Sequence, residues 1–164
     1  MNKAPGNGRF LFASDFLPHA AFRSKLPPIR SDNLTREDNM DDCIKTCPHC
    51  GAAFSVNDLV YSEEIRPIGV CLDPETRSFN YFYFNHEVAA CGTTFTIHVE
   101  ALLGLVREDI PEKRLTGGPE CERHCRDLAD TCTCNASCHF APFRRLLRYM
   151  LEVRGIDITP GHYC

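Results

Sequence analysis

The sequence predicts an α+β fold, a small β module built around a repeated cysteine turn and followed by a Cys-rich α-helical module. Three observations predict it. Cys47-Pro48-His49-Cys50-Gly51-Ala52-Ala53-Phe54 is echoed by Val88-Ala89-Ala90-Cys91-Gly92-Thr93-Thr94-Phe95; the second copy keeps the Cys-Gly-x-x-Phe half in register and carries Val88 where the first has Cys47. Short aromatic or alternating segments, of the kind that pair as strands, flank the copies. Beyond the break Thr116-Gly117-Gly118-Pro119 the spacing turns helical, with Cys121 and Cys125, then Cys134 and Cys138, each four residues apart.

Taken in order, residues 1–40 read as a flexible tail. They hold Pro5, Pro18, Pro27 and Pro28 and no sustained period, with at most a short docking piece around Phe10 to Phe22. Residues 41–110 read as the β module. Leu59-Val60-Tyr61 and Ile68-Gly69-Val70-Cys71 are short strand candidates, and Asp73-Pro74-Glu75-Thr76 is a turn. Ser78 to Phe84 places Phe79, Tyr81 and Tyr83 on one face and Phe82 and Phe84 on the other, as a central strand would. Thr94 to Val99 alternates, with Phe95, Ile97 and Val99 facing inward, and Val99 to Val106 reads as a helix with Leu102, Leu103 and Val106 as its stripe. Residues 118–155 form the helical module. Its last helix carries Phe143, Leu146, Leu147, Met150 and Leu151 on one face, leaves Arg144, Arg145 and Arg148 on a solvated one, and ends at Gly155.

A chain of 164 residues with 11 Cys and no run apolar enough to cross a membrane reads as cytoplasmic, where clustered thiols point to metal rather than disulfides. The interrupted segment Phe10 to Phe22 lacks the features of a secretory signal. The net charge of −4 is uneven: residues 41–110 hold 4 basic and 11 acidic side chains, against 8 and 7 in residues 111–164. The acidic β module is therefore a poor match for a phosphate backbone. Nucleic acid would have to use the C-terminal Arg face, and a protein partner is expected instead.

Cys-Pro-x-Cys-Gly followed by Cys-Gly-x-x-Phe has the ligand spacing of a zinc knuckle and its partner. Proline and glycine shape the tight turn that lets backbone N–H groups approach the sulfurs. Over roughly residues 43–99 the segment resembles the zinc-ribbon fold group, although the second knuckle lacks its first Cys and 40 residues separate Cys50 from Cys91. The resemblance implies a small zinc-ribbon-like module holding one metal between two turns. Tetrahedral zinc takes four N or S ligands. Cys47, Cys50 and Cys91 supply three, and His86, two residues ahead of the vacated position, is the fourth; Cys71, Cys43 and His49 are rivals.

The second constellation is Cys121, Cys125, Cys134 and Cys138, whose helical spacing would set four thiolates around one centre, with Cys132 as a spare ligand. It suits a second zinc, or an iron–sulfur cluster. A disulfide-bonded hairpin and a haem-attachment motif fit less well without export. The leading function is therefore a zinc-binding structural or regulatory adaptor, an accessory protein rather than an enzyme. The alternative is an iron–sulfur redox or electron-transfer accessory protein using the C-terminal cysteines. Catalysis would need an open metal position, with Glu87 as base. Residues 1–39 are expected to be dispensable: Arg36-Glu37-Asp38-Asn39, directly ahead of Met40, can be encoded by a purine-rich run resembling a bacterial ribosome-binding site.

Overall fold

Among the described residues, two small antiparallel sheets form the β part of the chain. The first is the hairpin β1 (Cys43–Thr46) with β2 (Ala53–Ser55). The second has three strands in the order β3 (Ile65–Cys71), β4 (Tyr81–His86), β5 (Thr94–His98). The computed structural model describes residues 40–73 and 75–156. The expectations for the tail before Met40, its docking piece and its dispensability fall outside the described residues.

Strand β4 is central, as its two-sided apolarity predicts. Phe82, Phe84 and His86 are buried on its inner face, while Tyr81 and Tyr83 are half-buried on the other. Phe79 is not on the strand; it ends a 3₁₀ turn, Arg77–Phe79, and is 61% exposed. Strand β5 buries Phe95 and Ile97, and Val99 follows them into the core. Strand β3 is an edge, which is where Pro67 can be accommodated, since its missing N–H need not serve a neighbouring strand. The β3–β4 register shifts between Pro67 and Gly69.

Leu59-Val60-Tyr61 is helical, not a strand. It belongs to α1 (Val56–Tyr61), whose start is set by a capping box: Ser55 Oγ accepts the Asp58 N–H at 3.2 Å and Asp58 Oδ2 accepts the Ser55 N–H at 2.8 Å. Both caps outweigh the β preference of Val60 and Tyr61. The Val99–Leu105 segment winds as a 3₁₀ rather than an α-helix, burying Leu102 but leaving Leu103 exposed.

Residues 118–140 hold no helix, so the expected helical pairs Cys121–Cys125 and Cys134–Cys138 are turns instead. Aspartates explain part of this. Asp127 Oδ1 accepts the Ala129 N–H at 2.9 Å and Asp130 Oδ1 accepts the Cys132 N–H at 2.8 Å, side-chain bonds that compete with a helical ladder. The loop adheres to β3: the Leu72 N–H donates to the Cys125 carbonyl at 2.9 Å, and the Leu128 carbonyl fills the space beside Gly69.

Helix α2 (Ala141–Val153) follows, with Gly155 at φ 63 just past its end. All five residues of its expected stripe are buried. One hydrophobic cluster joins Phe54, Val70, Phe82 and Phe95 to Cys125, Cys138, Phe143 and Leu147, so segments 41–110 and 118–155 share a core. Arg154 ties the two helices together by donating to the carbonyls of Leu59 at 2.6 Å, Val60 at 3.0 Å and Ser62 at 2.8 Å, which caps the C-terminus of α1.

Two outcomes test this packing. A Cβ at Gly69 would lie 2.1 Å from the Leu128 backbone oxygen. Gly69→Ala should therefore cost about 2–3 kcal/mol in urea unfolding, the scale of an overpacked core site; an unchanged midpoint would show that the loop does not seat on β3. Tyr149 is pushed up to about 12 by burial and by Tyr61, whose hydroxyl lies 3.3 Å away. Its folded-state value exceeds the ordinary one, so this contribution to stability is complete below about pH 10 and fades as pH rises towards 12. Absorbance of tyrosinate near 295 nm should show one late-titrating tyrosine, and Tyr149→Phe should remove it.

Candidate metal centre

The two cysteine turns come together. One ligand atom each from Cys47, Cys50, His86 and Cys91 lies within 4.8 Å of all the others. Cys47 Sγ is 3.5 Å from Cys91 Sγ, and Cys50 Sγ is 3.6 Å from His86 Nδ1. Cys47 and His86 are buried, Cys91 is partly so, and Cys50 faces outward. Three sulfurs and one imidazole nitrogen at this separation can hold a metal ion, and the set is that of a Cys₃His site.

Backbone geometry explains why His86 is the fourth member. In the first turn the Gly51 N–H donates to the Cys47 carbonyl at 3.1 Å and the Cys47 N–H to the Ala52 carbonyl at 2.7 Å. In the second the Gly92 N–H donates to the Val88 carbonyl at 3.2 Å, so Val88 keeps the turn position of Cys47 without its ligand. The cross-turn bond is made instead by the His86 N–H, which donates to the Thr93 carbonyl at 2.8 Å. His86 thus occupies in the second turn the pairing place that Cys47 holds in the first, with two more residues in the loop. Gly51 at φ 76 and Gly92 at φ 59 take the left-handed conformation that both turns need.

The repeat also extends to packing. Phe54 and Phe95, the last residues of the two copies, stack with ring centroids 5.2 Å apart at 16°. The edge contact of Phe54 with His86, centroids 4.9 Å apart, orients the imidazole. Thr93 Oγ1 lies 3.3 Å from Cys91 Sγ, a polar neighbour that the sequence did not single out.

The electrostatics favour a thiolate at the buried position. Cys47 is lowered to about 6, chiefly by the Cys50 backbone N–H, with further donors at His49, His86 and Cys91, against the opposing effect of burial. At Cys50 the Ala52 N–H pulls downward, yet burial and the neighbouring Cys47 and Cys91 together push the thiol up. Cys47 is thus the more acidic thiol of the pair, as suits a group that could hold a cation.

The rivals stay apart. Cys43 is exposed on β1 with Sγ 3.5 Å from the Lys45 carbonyl, Cys71 ends β3 opposite Tyr81, and His49 faces solvent from within its turn. Cys121, Cys125, Cys134 and Cys138 are free thiols, but no three of them reach the mutual 4.8 Å separation of the first group. Cys132 is disulfide-bonded, which removes it as a spare thiolate ligand. A further grouping joins Cys132 to His124 and Asp130. Asp130 is already engaged there by His124 Nδ1 at 2.7 Å and by Arg144 at 2.9 Å.

Arg144 corrects the solvated-face reading of α2: it is fully buried. Its guanidinium donates to the Cys132 carbonyl at 2.9 Å and to the Asp130 carbonyl at 2.5 Å as well as to the Asp130 carboxylate. The spacing of Phe143 and Leu147 on the apolar stripe was the signal available, since Arg144 lies beside both. Arg145, by contrast, reaches the surface to pair with Glu108 at 2.5 Å, and Arg148 pairs with Glu152 at 2.7 Å.

Comparison with family models, with curated proteins and with solved structures finds no match. The assignment of function therefore rests on the geometry above. Among the described residues no helix is long and apolar enough to cross a membrane.

Removing Arg144 takes away a buried ion pair with Asp130 together with the donors that hold the Asp130 and Cys132 carbonyls. Arg144→Ala should cost about 3–5 kcal/mol in urea unfolding, whereas Arg148→Ala, on an exposed i, i+4 pair, should stay within about 0.5 kcal/mol. Equal effects for the two variants would contradict the burial of Arg144.

Proposed function

We propose that the chain is a zinc-binding protein of zinc-ribbon type whose metal is structural. Cys47, Cys50, Cys91 and His86 would be its ligands, and the protein would serve as an adaptor or accessory subunit. The observation that carries this reading is the convergence of three sulfurs and His86 Nδ1 from two turns of matching backbone geometry. Zinc suits a set of three thiolates and one imidazole. Four protein ligands close a tetrahedral site, whereas catalytic zinc keeps a position for water. When bound, the ion supplies cross-linking between the β1–β2 hairpin and the β4–β5 hairpin. A chain of this size has a modest core, and the metal would add to it.

The adaptor role is supported by the outer sheet surface. Tyr81 and Tyr83 are only half-buried on β4, and Phe79, in the turn just ahead of that strand, is 61% exposed; exposed aromatics of this kind are found at protein interfaces. The segment 41–110 remains acidic, which favours a protein partner over nucleic acid.

The test is metal analysis with ligand variants. Cys50→Ser should lose one zinc per chain and lower the melting temperature by at least about 10 °C, the equivalent of about 3 kcal/mol for a chain of this size. His86→Ala should do the same, and Cys43→Ser should do neither. A cobalt derivative should show a tetrahedral spectrum that added azide leaves unchanged. Retention of zinc in both Cys50→Ser and His86→Ala would remove the ligand assignment. An azide-dependent spectrum would instead reopen a catalytic role.

A further inference from the structure

The second set of cysteines shares the backbone surroundings of the first centre, although burial pushes Cys125 and Cys134 up where Cys47 is lowered. Cys121, Cys125, Cys134 and Cys138 are free, and the last three are buried. Backbone N–H groups face their sulfurs. The Arg123 N–H donates to Cys121 Sγ at 3.3 Å, the Leu115 N–H donates to Cys138 Sγ at 3.3 Å, and the Ala136 N–H bonds to the Cys134 sulfur. The first and third come from the residue two positions on, the relation that His49 has to Cys47 in the first centre. Both Cys-x-x-x-Cys turns thus present their leading sulfur to an i+2 amide. Arg123 adopts φ 68, a left-handed conformation that among the other described residues only glycines take. Strain of this kind persists where the surroundings demand it.

The four thiols also share one electrostatic neighbourhood. Cys125 is pushed up to about 12 by burial and then by Cys134, Cys121 and Cys138. The same neighbourhood holds a buried cation without a full set of partners. Arg144 is fully buried, it senses Cys125 and Cys134 as well as Asp130, and its Nη1 has no hydrogen-bond partner. A buried donor left unpaired is costly, and thiolates formed on metal binding would give this cation a favourable neighbour. Arg145 adds a second cation on the same side, donating to the Cys134 carbonyl.

We propose that Cys121, Cys125, Cys134 and Cys138 form a second, tetrathiolate metal centre, independent of Cys47, Cys50, His86 and Cys91, with Arg144 offsetting its surplus negative charge. The shared chemistry is thiolate ligation, which serves a zinc ion or an iron–sulfur cluster. Binding releases the thiol protons to solvent and changes the oxidation state of no cysteine. The sulfurs are more widely spread than those of the first centre, so loop 121–138 tightens on the metal. Its anchors to β3 at Leu72 and to α2 through Arg144 hold its middle while the turns adjust.

The full chain, purified without oxygen, tests this by metal analysis, acid-labile sulfide and visible spectrum. Two zinc ions per chain in colourless protein support the zinc form. One zinc with iron, sulfide and a brown colour supports the cluster form. Cys125→Ser and Cys134→Ser should each remove the second metal while keeping the first zinc, and Cys50→Ser should do the reverse, so failure of one centre is distinguishable from failure of the other. Should the variants not fold, alkylation of wild-type thiols read by mass spectrometry replaces them: labelling of these four cysteines should rise several-fold after metal removal. A single zinc without iron, full metal content in Cys125→Ser, equal labelling with and without chelator, or disulfides among the four would overturn the proposal.

Discussion

The stacking of Phe54 on Phe95 is the contact on which the arrangement of the candidate centre depends. It joins the ends of two turns whose Cys-Gly pairs lie about forty positions apart along the chain, and it does so at the same place in each. Once those rings are in register, Cys47 and Cys50 face Cys91 across the gap, and His86 is delivered beside them by the inner face of β4. Phe84 extends the stack, with its ring 5.7 Å from that of Phe95. The hydrophobic effect thus brings the hairpins together, and the sulfurs inherit a separation that their mutual repulsion as thiolates would oppose. A metal ion held there would relieve that repulsion and couple its binding to folding.

The buried guanidinium of Arg144 has the corresponding place in the C-terminal half. Residues 118–140 have no sheet or helix to satisfy their backbone, and Arg144 supplies donors to two of their carbonyls from inside the core. Burial pushes the guanidinium below its usual value, and the carboxylate of Asp130 works against that. Such a residue specifies one loop conformation more than it adds stability. With Gly69 giving the loop access to β3 on the other side, the loop is clamped between sheet and helix.

Much of the β part was legible in the sequence because period-two burial is a local signal: β5 sits where its alternation placed it, β4 keeps the expected faces from Tyr81 to Phe84 but starts three residues later than Ser78 and runs on to His86, and α2 buries the predicted stripe. The misses have specific causes. Val60 and Tyr61 favour strands by type, but the Ser55–Asp58 capping box starts a helix there. The cysteines at i, i+4 spacing gave a helical period, but Asp127 and Asp130 bend the chain into turns through their own side chains. Arg144 was assigned to solvent by its charge. Its burial depends on carbonyls 12 and 14 residues away, which no local pattern encodes.

The sequence by itself determined the candidate ligand residues, the repeat that matches Cys50 with Cys91, and the vacancy at Val88 that His86 was expected to fill. These follow from short-range chemistry: a Cys-Gly turn requires left-handed backbone at the glycine wherever it occurs, and β alternation decides which way His86 faces. Only the tertiary structure decided that Cys43 and Cys71 stay apart from the centre, that segments 41–110 and 118–155 share a core, and that Arg144 is buried. Those outcomes depend on which distant surfaces meet. That is governed by the volume and shape of the packed side chains rather than by any spacing along the chain.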